Sequence, residues 1–460
     1  MDKALIRKYN VPGPRYTSYP TVPYWNEAGI DPQDWISTVK KSFEESQDQG
    51  ISLYIHLPFC ESLCTFCGCH KRITKNHGVE TPYIDTVLQE WKLYLDVLGN
   101  KPLIQEIHLG GGTPTFFSPE ELERMITGIL ETSKVASNFE FGFEGHPNNT
   151  TREHLQTLYD LGFRRVSFGV QDYAPKVQDA INRIQSFEQV KEVHDMAREM
   201  GYTSISHDLV FGLPFQTLDD VRDTINKTRE LRPDRLSFYS YAHVPWVKGV
   251  GQRKFDESDL PLGKAKSTLY ERGKELLEEA GYVEIGMDHF SLTTDTLYQA
   301  WKDKKLHRNF MGYTTNTTQL MIGLGMSSIS DSWYAFAQNE KKVEDYQNRV
   351  AEGKIPIFRG HLLTDEDRLI RQKILDVMCH FATDFSSVGR GSDQVNFPED
   401  FAEKIKERLT PLIGDGLLQM EENELLVNDL GKPFVRNICM CFDERLHRNK
   451  PETQLFSMTV

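Results

Sequence analysis

From about residue 51 onward, short apolar runs alternate with longer stretches in which apolar positions recur at helical spacing. The runs Ile51–His56, Ile104–Leu109, Phe139–Glu144, Arg165–Val170, Ile205–Phe211 and Arg235–Tyr239 read as strands. The stretches between them carry helix start and stop signals. Thr81-Pro82 opens one helix that ends at Gly99, and Ser118-Pro-Glu-Glu121 is a capping box with proline at the first helical position. Thr150-Thr-Arg-Glu153 and Thr217-Leu-Asp-Asp220 repeat the device. Alternating β and α elements predict a parallel sheet with right-handed crossovers, and six units suit an open, partial (β/α)6 barrel better than a closed eight-stranded one. The fold expected is α/β: an arm over residues 1–45, the partial barrel over 46–300, and a mainly helical C-terminal domain over 301–460. In that last part Thr364-Asp-Glu-Asp367 caps a helix, a second runs from about Pro398 to Leu412, and Leu417–Val427 reads as a hairpin, a winged-helix-like order. Glu421, Glu422 and Glu424 on the wing favour a structural or lid role over DNA reading.

Polar and glycine residues gather at the C-terminal end of each predicted strand, where α/β barrels build their active sites. The first strand leads to Cys60, Cys64, Cys67 and Cys69, the second to Gly110-Gly-Gly-Thr-Pro-Thr115, and the third ends at Glu144. Gln171 and Asp172 follow the fourth, Asp208 lies in the fifth, and the sixth leads to Tyr239 and His243. Cys60, Cys64 and Cys67 have the spacing C-x3-C-x2-C. Three thiolates on one loop can hold three irons of a 4Fe–4S cube and leave the fourth open to the amino and carboxylate groups of S-adenosylmethionine. The same thiols also suit a structural zinc site, with His70 as a fourth ligand. Phe66 suits stacking on an adenine as well as plain packing. The glycine run lacks the lysine of a phosphate loop, and beside a cluster loop it offers backbone that can pair with a methionine amino group. Glu144 and Asp208 can bind ribose or amino groups or pair within the protein, and Arg183 can clamp a carboxylate or face solvent.

The bulk composition narrows these readings. With 460 residues, 39% hydrophobic and 26% charged, the chain has material for two to three domains. No apolar run approaches membrane-spanning length and the first residues show no signal-peptide core, so a cytoplasmic protein is expected. Seven cysteines, four of them bunched, do not form a disulfide framework. A net charge of −14 argues against a general nucleic-acid binder.

Taken together, the stretch from Tyr54-Ile-His-Leu-Pro-Phe-Cys60 through Cys69, Gly110–Thr115 and Gly212-Leu-Pro214 resembles the radical S-adenosylmethionine enzymes. Gly13-Pro-Arg-Tyr-Thr-Ser-Tyr-Pro-Thr21, Gly169-Val-Gln-Asp172, Gly286-Met-Asp-His-Phe290, His307-Arg-Asn-Phe-Met-Gly-Tyr-Thr-Thr315 and Asn437-Ile-Cys-Met-Cys-Phe-Asp443 extend the resemblance. Along essentially the whole chain it is similar to the oxygen-independent coproporphyrinogen III oxidase family. The resemblance implies Cys60, Cys64 and Cys67 as cluster ligands, with Cys69 close by and not ligating. It implies two S-adenosylmethionine molecules, one met by Tyr54, Gly111, Glu144 and Ile329. The other is met by Phe66, Gly112, Thr113, Gln171, Arg183, Asp208 and Ala242. The activity implied is removal of carbon dioxide, a hydrogen atom and an electron from each of two propionates of coproporphyrinogen III, leaving the vinyl groups of protoporphyrinogen IX.

The arm around Arg15–Tyr19 would cover the substrate. Its four carboxylates would meet cations such as Arg15, Lys71, Arg72 and Arg308. A flavodoxin- or ferredoxin-like electron donor, an unidentified acceptor and a monomeric state complete the expectation. Two positions depart from the family pattern: Gly145-His-Pro147 follows Glu144 where Val-Asp-Pro is common, and Tyr239 replaces a usual phenylalanine. The alternatives are a haem-trafficking or haem-modifying relative, against which Cys69 and the Gly13–Thr21 arm speak, and a zinc-stabilised regulator.

Overall fold

The computed structural model describes residues 3–25, 29–244, 252, 255–389, 394–449, 451 and 455–459. Its centre is a run of parallel strands: β1 (Ile51–Leu57), β2 (Leu103–Gly111), β3 (Lys134–Gly145), β4 (Arg165–Gln171), β5 (Ser204–Phe211) and β6 (Arg235–Ser240). All six predicted strands are present, in sequence order in the sheet. Helices cover the sheet, so β1 is buried almost throughout; this is why it reads as a continuous apolar run rather than an alternating one.

The sheet extends beyond these six strands on both sides. β7 (Tyr282–Gly286) and β8 (His289–Leu292) add antiparallel next to β6. On the other edge β9 (Met321–Leu324) pairs parallel with β1. β10 (Ile329–Asp331), β11 (Ala335–Asn339) and β12 (Ile357–Leu362) follow antiparallel, making twelve strands. Register places Tyr54 of β1 opposite Gly323 of β9, and the Ile329 carbonyl presses against Gly323 from β10.

Local start signals act as expected at Thr217 and Thr364, in part at Ser118, and shift at two helices. Ser118 accepts from the Glu121 N–H at the start of Pro119–Leu130, and Thr217 and Asp220 form a reciprocal box. Glu121 does not reciprocate toward Ser118. Its carboxylate takes Arg124 and the Thr81 hydroxyl instead. The helix predicted from Thr81 begins at Glu80, whose carboxylate receives the Ser118 N–H. It ends as predicted at Gly99, in the left-handed conformation (φ 70°) that glycine adopts without strain. At the next helix the cap is Thr151 rather than Thr150, because His154 completes the box from the third helical position.

The C-terminal region holds helices Asp365–His380, Glu399–Gly414 and Val435–Phe442 around a three-stranded sheet of Ala382–Asp384, Leu418–Glu421 and Glu424–Val427. It has its own apolar core, to which Tyr9, Tyr16 and Tyr19 of the arm contribute. The arm is held by Arg436, which donates to the carbonyls of Gly13 and Pro14, and by the Pro12–Met458 bridge.

Candidate active site

The C-terminal ends of β1 to β6 surround one cavity of about 670 Å³. Cys60, Cys64, Cys67 and Cys69 line it together with Phe66, Gly111, Gly112, Thr113, Glu144, Gln171, Arg183, Asp208, Tyr239 and Ala242. Twelve of the fourteen metal- and cofactor-contact residues expected from the sequence and the resemblance meet here. Tyr54 and Ile329 stand behind the wall: Tyr54 donates toward or accepts from His56 Nδ1 at 3.1 Å, with its ring over His108, and Ile329 lies alongside Gly323 opposite it.

The cysteine loop is fixed from both sides. Phe59–Cys60 pairs with Arg72–Ile73, the Thr113 N–H donates to the Phe59 carbonyl at 3.0 Å, and the His56 ring contacts the His70 carbonyl at 2.8 Å. From the far side of the sheet Thr65 donates from its N–H to Ile181 O and from its hydroxyl to Ala180 O, both at 2.9 Å, while Asn182 Nδ2 donates to Leu63 O at 2.8 Å. Gly112 runs so close to β1 that a Cβ there would stand 2.5 Å from the Pro58 carbonyl.

Donors and cations converge on the sulfurs. The Thr113 hydroxyl reaches Cys60 Sγ at 3.3 Å, the Cys69 N–H reaches Cys67 Sγ at 3.4 Å, and Arg183 Nη1 reaches Cys64 Sγ at 3.8 Å. Lys71 Nζ sits on the Cys67 and Cys69 carbonyls. The Cys69 thiol, which hydrogen-bonds to it, lowers the Cys67 thiol, helped by Lys71, the Cys69 N–H and Arg183 against the opposing effect of burial, whereas burial pushes Cys60 up to about 11.

On the opposite wall, burial tends to raise the Glu144 carboxyl. His108, the Gly111 N–H and His56 outweigh it and keep the group below its ordinary value. Burial with Glu144 nearby pushes Asp208 up to about 6, against the hydroxyls of Ser237 and Ser167. Gln171 enters the cavity from a bulge in β4, in a left-handed conformation (φ 68°) that turns it out of the strand.

Sequence reasoning missed Gln252, whose amide donates to the Phe66 and Ala242 carbonyls at 3.2 and 3.0 Å and joins two loops 176 residues apart. A single glutamine outside any motif gives no signal of this. Ser167 and Ser237, which support Asp208, were equally silent as isolated polar positions in strands.

Among the described residues, no three His, Cys, Asp or Glu side chains close around a single metal ion as they stand. The donor set fits a larger group: three thiols on one loop, cationic and N–H donors directed at sulfur, and open space beyond them.

A parallel α/β sheet with a three-cysteine loop at its C-terminal ends defines the radical S-adenosylmethionine class, and residues 54–228 match the Radical SAM superfamily model. The chain is 37% identical to the oxygen-independent coproporphyrinogen III oxidase of Escherichia coli, covering 100% of this chain and 98% of that protein. The protein of the same name from Helicobacter pylori is 38% identical, with 97% of each chain covered. Among solved structures, coproporphyrinogen III oxidase from Escherichia coli, described as a radical SAM enzyme, superposes with a TM-score of 0.88 at 34% identity, over 97% of this chain and 99% of that one. This chain belongs to the oxygen-independent coproporphyrinogen III oxidase family. Membership brings a 4Fe–4S cluster and S-adenosylmethionine as cofactors. No helix among the described residues is long and apolar enough to cross a membrane.

Proposed function

We propose that this chain oxidatively decarboxylates two propionates of coproporphyrinogen III to vinyl groups, giving protoporphyrinogen IX without oxygen. The observation that carries this is the meeting, in one cavity, of three thiols with groups from all six parallel strands, on a chain similar end to end to relatives of that name. When bound, the cluster and S-adenosylmethionine supply a one-electron route to a primary carbon radical able to take hydrogen from an unactivated C–H bond.

The chain's own residues hold and orient these groups. Cys60, Cys64 and Cys67 hold the cluster, and Cys69 supports Cys67 from its backbone N–H. One S-adenosylmethionine lies against Gly111 and Glu144, backed by Tyr54 and Ile329, where exposed glycine backbone and a carboxylate suit an ammonium group. A second would be met by Phe66, Gly112, Thr113, Gln171, Arg183, Asp208 and Ala242, where Asp208 would suit ribose hydroxyls and Arg183 a carboxylate. The arm excludes water from the substrate. A flavodoxin- or ferredoxin-like protein feeds electrons, and the protein works as a cytoplasmic monomer.

The direct test is anaerobic turnover of reconstituted protein with coproporphyrinogen III, S-adenosylmethionine and a strong reductant. Vinyl product together with 5′-deoxyadenosine supports the proposal. Deoxyadenosine without vinyl product moves the substrate elsewhere, and neither product from protein with full iron content supports a haem-trafficking role.

Asp208→Ala is expected to raise the S-adenosylmethionine concentration needed for half-maximal turnover by about tenfold to a hundredfold, with iron content unchanged. Equal turnover at limiting cofactor rules the contact out. Burial pushes the Asp208 carboxyl up to about 6, and protonation turns one of its two acceptor oxygens into a donor, so cofactor affinity is expected to rise with pH through that value. The same titration on Asp208→Asn should be flat.

A further inference from the structure

The four cations suggested as partners of substrate carboxylates have different fates. Arg15 pairs with Asp288, Arg72 with Glu344 at 3.2 Å, and Lys71 with two carbonyls of the cysteine loop. Arg308 differs. It is only 4% exposed, and neither its Nε nor its Nη1 has a hydrogen-bond partner among the described residues. Its guanidinium lies over the Tyr313 ring, 4.6 Å from the centroid, which compensates a buried charge in part but supplies no acceptor. Arg371 beside it shows what satisfaction looks like here: it pairs with Asp331 and donates to the Trp333 carbonyl at 3.2 Å.

Arg308 lines a small cavity of about 10 Å³ closed on one side by arm residues 16–19 and on the other by Phe336, Arg371 and Ile374. The Tyr19 hydroxyl, from the arm, is likewise buried; the Arg445 N–H approaches its oxygen, and its own proton has no acceptor among the described residues. This cavity is not remote from the main one. Tyr313 meets His289 edge-on at 5.2 Å, and His289 meets Tyr239, which lines the main cavity, at 5.7 Å. Buried charges are otherwise paired, because an unpaired one forgoes its hydration without replacement. An anion from outside would supply the missing partner, and a space of about 10 Å³ would admit one only if arm residues 16–19 moved.

We infer that Arg308, joined by the Tyr19 hydroxyl, is a substrate-binding residue that receives one carboxylate of the tetracarboxylate macrocycle beneath the arm. This rests on the function proposed above and singles out Arg308 among the four suggested cations. Two of the four carboxylates survive the reaction, so such a contact can hold the ring while another propionate reacts. Closure of residues 16–19 over the bound carboxylate then seals the site.

The test is fluorescence-quenching titration of the full-length, cluster-loaded protein with coproporphyrin III, an air-stable tetracarboxylate, and with its tetramethyl ester. The natural chain is expected to bind the acid more tightly than the ester. Arg308→Met should lose about tenfold to a hundredfold in acid affinity with ester affinity unchanged, and Arg308→Lys should lie between. Acid affinity equal to that of the natural chain, or equal losses for acid and ester, overturns the assignment and leaves Arg308 a packing residue. If Arg308→Met does not fold, as judged by circular dichroism and iron content, Arg308→Lys decides by the same acid-to-ester ratio. Failure of the natural chain to bind the acid at all is a different result: it removes the substrate proposed for the whole site, and this inference with it.

Discussion

Alanine in place of Cys60, Cys64 or Cys67 is expected to abolish turnover outright, with iron and visible absorbance lost after anaerobic reconstitution. Each thiol lines the same cavity, and two of them take a side-chain donor that no other thiol receives: Thr113 for Cys60 and Arg183 for Cys64. Cys67 takes donors from both the thiol and the backbone N–H of Cys69, and the backbone one survives replacement of the Cys69 side chain. Cys69→Ala is therefore expected to retain its iron. Iron lost from Cys69→Ala and kept by one of the other three would reassign the ligand set.

The second large effect comes from a single methyl group. Gly112→Ala places a Cβ 2.5 Å from the Pro58 carbonyl carbon and oxygen, and backbone in the middle of a strand-to-loop junction cannot swing aside like a side chain. The glycine run and the cysteine loop must separate. A displacement of about 1 Å between groups that position a reaction costs about a hundredfold in rate, so turnover should fall by at least that factor while the thermal midpoint moves little. Turnover within a few-fold of the natural chain would mean that the two loops do not need this close approach.

Much of this geometry was readable from the chain. The six parallel strands were legible because near-complete burial leaves apolar runs in β1 and β5, alternation marks β3 and β4, and polar groups stop each strand at the same end. β9 to β12 were not, since strands of three to six residues carry too few positions to show a period. The same limit hid β7 and β8, although Gly286–Phe290 was visible as a motif. The site was legible as a list of residues, while its supports were not. Nothing in the order of residues says that Arg183 will turn toward Cys64, that Gln252 will tie Phe66 to Ala242, or that Arg15 will be taken by Asp288. These are contacts across the fold between residues that have no local reason to be polar or charged. The displaced helix caps have a local cause instead: where two candidate caps stand side by side, as at Thr150 and Thr151, the partner at the third helical position decides.

The fastening of the cysteine loop sets an order of events in the making of this protein. Leu63 and Thr65 are held by Ala180, Ile181 and Asn182, more than a hundred residues downstream. On the ribosome, the thiols emerge long before the segment that shapes their loop. The thiol loop does not take its final form until the fourth strand and the turn after it have been made and docked. A cluster seated in the final form of this loop therefore needs a chain folded through residue 182. Interruption of synthesis before that point leaves exposed thiols with no scaffold to hold a cluster.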